Sequence, residues 1–175
     1  HRLPHTMVTA RHLLHMAAAL LVHLISAPTS AQQNGLSLQW AHGFGQGDQA
    51  LSLGYDRALT DKLVLGVSLG NVRHGADNNL YGAARLGWRL APWAAEPLLR
   101  PSLGLELASG TAVWSDMRQW GVYGGLACEL APPWSLNAEL LLGSALYRRH
   151  RFPNAPESSQ REHVRQLRLG ARYAF

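Results

Sequence analysis

Four histidines beyond residue 31, namely His42, His74, His150 and His163, are the groups in this 175-residue chain best suited to acid–base work or to activating a nucleophile. On a β-strand, a His and a Ser two positions apart present both groups on the same side. Here the second position after each histidine holds Phe44, Ala76, Phe152 or Arg165, so no His-x-Ser pair exists. No Asp is followed by Ser either; Ser115-Asp116 has the reverse order and suits a turn. His74 with Asp77, and His42 with Asp48, supply two candidate metal ligands each where a site needs at least three. Gly43-Phe44-Gly45-Gln46-Gly47 lacks the Lys-Ser/Thr and the helix of a phosphate loop and reads as a hairpin tip. The expectation is no catalytic set, no metal and no cofactor.

What remains is cationic. Arg73, Arg118, Arg148, Arg149, Arg151 and Arg161 lie near His74, His150 and His163, and the guanidinium fork suits bidentate binding of phosphate or carboxylate. Of 16 Lys plus Arg only Lys62 is lysine, and the formal net charge is +5. Such a set acts together only if the surrounding elements gather it.

Those elements are strands. Segments of alternating polarity run over Gly35–Gly45, Gln49–Ala58, Leu63–Arg73, Leu80–Leu90, Pro97–Ser109, Arg118–Leu130, Ser135–Tyr147 and His163–Phe175, near the length a bilayer-crossing strand needs. Leu59–Lys62, Ala91–Glu96 and Ala131–Trp134 are short connectors; His74–Asn79 and Arg148–Glu162 are longer ones, at the opposite end. One face carries Leu36, Leu38, Leu51, Leu53, Leu103, Leu105 and their equivalents. The other carries glycines such as Gly54, Gly87, Gly104 and Gly125 together with Asp56, Arg85, Arg89, Arg100, Glu106, Glu129, Glu139, Arg168 and Arg172. Glycines and a few charges suit the inside of a narrow eight-stranded barrel, where buried charges persist as ion pairs, and the leucines then meet lipid. Trp88, Trp93, Trp134, Tyr173 and Phe175 fall at the short-turn end and Trp114 and Trp120 at the other, as two interfacial girdles would.

Residues 1–31 read as a secretory signal rather than structure, with Met7 a plausible start. Arg11 and His12 form a basic region, Leu13–Ile25 an apolar core too short to span a bilayer, and Ala27-Pro28-Thr29-Ser30-Ala31 a cleavage site. No later run approaches a transmembrane helix. The single cysteine, Cys128, forms no internal disulfide and falls among the apolar residues of its strand.

Leu167, Leu169, Ala171, Tyr173 and Phe175 share one face of the last segment. This resembles the C-terminal strand of Gram-negative outer-membrane β-barrels, which implies that Tyr173 and Phe175 are read by the barrel-assembly machinery. The chain is similar to the small OmpA-, OmpX- and opacity-type barrels: all-β, an eight-stranded antiparallel up-and-down transmembrane barrel preceded by a helical signal peptide. The resemblance implies a porin-like cell-envelope protein in the bacterial outer membrane. Gly35–Trp40 and the chain length also resemble the outer-membrane lipid A deacylase barrels, whose His-x-Ser pair is missing. Two functions follow as expectations. One is a non-enzymatic structural or surface-interaction barrel whose external arginines contact lipopolysaccharide; the other is a diverged lipid A acyl hydrolase. Lipid, lipopolysaccharide and assembly machinery are the expected partners of a monomer, and nucleic acid is not.

Overall fold

The computed structural model describes residues 34–43, 48–74, 77–92, 99–111, 115–149 and 158–175. The expected signal segment 1–31, and with it the helix, lies outside them, as do Trp93, Trp114, His150 and Arg151. Eight strands form: β1 (Asn34–Gly43), β2 (Gln49–Ala58), β3 (Leu63–His74), β4 (Asp77–Arg89), β5 (Leu99–Thr111), β6 (Ser115–Ala131), β7 (Trp134–Arg149) and β8 (Ser158–Ala174). A strand in hydrocarbon must pair both its edges, and every one of these does, because each pairs antiparallel with its sequence neighbours and β1 pairs with β8 to close the barrel. At the seam Asn34 and Phe175 exchange backbone hydrogen bonds of 3.1 and 3.0 Å.

Pairing runs further toward the long-connector end than alternation predicts. β7 and β8 stay in register to Arg149↔Ser158, so the expected Arg148–Glu162 loop is corrected: Arg148, Arg149 and Ser158–Glu162 are strand residues. Likewise Asp77, Asn78 and Asn79 open β4 instead of belonging to a connector. Beyond the bilayer a strand needs no apolar face, so a polar stretch such as Ser158-Ser159-Gln160 pairs through its backbone without an alternating signature. β5 begins at Leu99; Pro97, expected as its start, lies outside the described residues.

The outward face is the leucine face. Leu53, Leu105 and Leu107 are 61, 57 and 65 % exposed, values that no soluble core would tolerate. On β6 the apolar outward residues run from Trp120 to Leu130; at roughly 3.3 Å per residue and a tilt of about 35–45° this covers ~23–27 Å of height, matching the hydrocarbon band. Trp88, Trp134, Tyr173 and Phe175 edge the belt at the short-turn end, with Trp134 and Tyr173 in edge-to-face contact at 5.0 Å.

The interior divides along its axis. Toward the long-connector end it holds an apolar plug of Val72, Met117, Leu141, Ala145, Tyr147 and Val164, with Leu141 fully buried and Met117 2 % exposed. The expected inward face of glycines, serines and ion pairs is therefore only part of the interior: large apolar side chains fill the rest. Below the plug, toward the short turns, the lumen is ionic.

Candidate functional sites: the ionic lumen and the arginine rim

Glu106 on β5 is the hub of the lumen. Its carboxylate, 2 % exposed, accepts two hydrogen bonds from Arg168 on β8 (Nη1 to Oε2, and Nη2 to Oε1 at 2.7 Å) and one from Gln119 at 3.4 Å, and Arg85 Nε lies 3.2 Å from its Oε2. Arg85, on β4, also donates to Glu139 on β7, so with Gln119 on β6 five strands are tied across the bore. The Arg85 guanidinium sits over the Tyr123 ring, 4.1 Å from its centroid. Tyr123 in turn needs two glycines. Gly87, Gly104 and Tyr123 are successive partners on β4, β5 and β6; the tyrosine hydroxyl occupies the space of a Cβ at Gly87, and its Cζ lies 2.6 Å from where a Cβ at Gly104 would stand. Glycine is required there for the close approach of an aromatic ring.

Nearer the short turns, Arg172 grips Asp56 with Nε at 2.9 Å and Nη2 at 2.8 Å, and Arg100 Nε lies 2.7 Å from Glu129. These pairs line a cavity of about 160 Å³ that also takes in Arg89, Ser102 and Ser135. The Arg100 and Glu129 side chains are 43 and 45 % exposed, so water reaches this end.

The second site is on the outer wall. Arg73, Arg118, Arg148 and Arg161 all fall on outward positions of their strands and are exposed. Arg149 is paired with Ser115 and Ser158 through the backbone. The sequence reading missed Arg165, which is exposed on the same face, two positions before Leu167; period-two counting along β8 is the signal that finds it. On β6 the order outward is Val122, Trp120, Arg118, and on β8 it is Leu167, Arg165, His163, Arg161. Across β6–β8, Arg118 and Arg161 flank Leu146, so guanidinium groups ride directly above the apolar belt.

The histidines do not converge. His42 stacks on Trp40 at 5.8 Å, and His163 stands opposite Ser144 across β7 and β8, on an exposed outward position. Among the described residues no group of three His, Cys, Asp or Glu could hold a metal. Cys128 is free and half-buried on an outward position of β6.

No family model matches the chain, and no curated protein matches it in sequence. Solved structures do match in shape. The N-terminal β-barrel domain of Pseudomonas aeruginosa OprF shares 16 % identity at a TM-score of 0.54, covering 82 % of this chain and 97 % of that one. The outer membrane protein AlkL shares 12 % identity at 0.53, covering 85 % of this chain and 94 % of AlkL. A de novo designed transmembrane β-barrel matches at 0.55 with 12 % identity, over 85 % of this chain and 100 % of the design. A de novo designed sequence matches as well as natural ones do, so the likeness carries architecture and not activity. The protein has the closed eight-stranded antiparallel barrel fold of the small outer-membrane barrels.

Proposed function

We propose that this protein is an exported outer-membrane barrel with a non-enzymatic, structural or surface-interaction role, and that its rim arginines bind the phosphates of lipopolysaccharide. The observation that carries this is the projection of Arg73, Arg118, Arg148, Arg161 and Arg165 from the outer wall just beyond the apolar belt, the level at which lipid headgroups lie against a barrel. Four of the five sit on β6–β8, so they face one side of the barrel as a patch able to engage several phosphates on one lipid. Arg149 and Arg151 belong to the same proposal through their place in the sequence. Tyr173 and Phe175, outward at the short-turn end, are the residues we assign to recognition by the assembly machinery.

The test is co-purification. Replacing Arg118, Arg161 and Arg165 together with Ser strips lipopolysaccharide from the barrel, and unchanged retention rejects the assignment. Lipid A mass profiles from cells with and without the gene separate this from the acyl hydrolase alternative: identical profiles agree with a non-enzymatic role, and loss of an acyl chain overturns it.

A further inference from the structure

Among the described residues the ionic lumen has one cation more than carboxylates. Its five arginines meet four carboxylates, and the pairing is nearly complete: Arg168 and Arg85 share Glu106, Arg85 also takes Glu139, Arg172 takes Asp56, and Arg100 takes Glu129. Arg89 is left over. No carboxylate of the described residues lies within ion-pair distance of it; in the 160 Å³ cavity the charges of Arg172 and Arg100 repel its own, and those of Asp56 and Glu129, each already paired with another arginine, attract it from further off. Its backbone is anchored at the strand end by a 2.7 Å hydrogen bond from Arg89 N to Lys62 O, and its place in the alternation turns the side chain to the lumen side. A half-buried guanidinium with no carboxylate in direct contact keeps its fork open, and an entering anion completes the pairing that its neighbours already have.

From this we infer that the turn-end cavity is a binding seat for a small oxyanion of the phosphate class, with Arg89 as its principal ligand. The geometry suits an oxyanion better than a halide. The guanidinium fork of Arg89 matches two oxygens, and Ser102, its cross-strand partner, and Ser135, the partner of Arg172, bring hydroxyls to the same wall. A water needs only about 10–15 Å³ of such space, so the cavity holds a tetrahedral anion together with waters that bridge it to the paired arginines. Access is from the short-turn end, where Arg100 and Glu129 meet solvent; the apolar plug closes the other direction. This seat is separate from the outer-wall arginines, and neither depends on the other.

The test uses the full barrel folded in micelles with ¹⁵N-labelled arginine and inorganic phosphate as the probe. Phosphate shifts the Arg89 side-chain resonance saturably, and chloride at matched ionic strength does not. Arg89→Gln weakens binding at least about tenfold. Glu129→Gln releases Arg100 into the cavity and tightens binding severalfold, which keeps the inference testable should Arg89→Gln fail to fold. An Arg89 resonance that follows ionic strength alone, Arg89→Gln binding as wild type, or Glu129→Gln leaving affinity unaltered each overturns the assignment.

Discussion

Removing the Glu106 carboxylate is the most informative single perturbation of this barrel. Glu106→Ala leaves Arg168, whose side chain is 7 % exposed, with a lone hydrogen bond of 3.1 Å to Gln166 and no opposite charge, while Arg85 retains Glu139. The loss therefore comes mainly from one orphaned buried cation, and breaking a buried pair from one side costs about 3–5 kcal/mol. With an unfolding slope of about 2 kcal/mol per molar urea, that lowers the midpoint by ~1.5–2.5 M. The assay is urea unfolding in lipid vesicles followed by tryptophan fluorescence. The companion variant decides the reasoning. Glu106→Leu combined with Arg168→Met removes both charges at similar volume and recovers most of the loss, because the penalty lies in the unpaired ion and not in the missing contact. A midpoint unmoved by Glu106→Ala, or a double variant as weak as the single one, refutes the hub assigned to Glu106.

Leu105→Arg in the middle of the outward belt destabilises by about 2–4 kcal/mol, and Thr111→Arg at its border by about 0–1, both read from unfolding in vesicles; equal effects would deny that hydrocarbon surrounds the belt. Gly87→Ala drives a methyl into the Tyr123 hydroxyl and costs about 1–3 kcal/mol, most of which disappears in the Tyr123→Phe background; a cost independent of residue 123 rejects that contact. Lipopolysaccharide retention falls as salt is raised, because the rim arginines are exposed and their attraction is screened over about 8 Å at physiological ionic strength; retention indifferent to salt argues for purely apolar contact.

Strand number and direction were legible because a bilayer imposes the pattern on each segment separately: every crossing needs an apolar outward row and paired edges. Gln49–Ala58 was bounded correctly from alternation alone, since polar turn residues stand at both its ends. What alternation cannot see lies where both faces share one polarity. In Leu140-Leu141-Leu142 parity with Glu139 and Gly143 turns the middle leucine inward, where it is fully buried, but with apolar residues on both faces the run carries no change of polarity to announce a packed apolar floor. At the far end of β8 the opposite happens: Ser158, Ser159 and Gln160 are polar on both faces, and their pairing is visible only in three dimensions. The inward charges could be picked out by parity, but which arginine takes which carboxylate depends on register and reach across the bore. Glu106 and Arg168 are 62 positions apart and sit on strands that do not adjoin. Arg89, the one lumen cation without a partner among the described residues, is recognisable only after every other pair has been drawn.

The packing of Leu141, Met117, Val72 and Tyr147 across one half of the bore makes the molecule a cup and not a conduit. Solutes that enter from the short-turn side meet this packed floor, beside which the polar side chain of Asn79 is also buried.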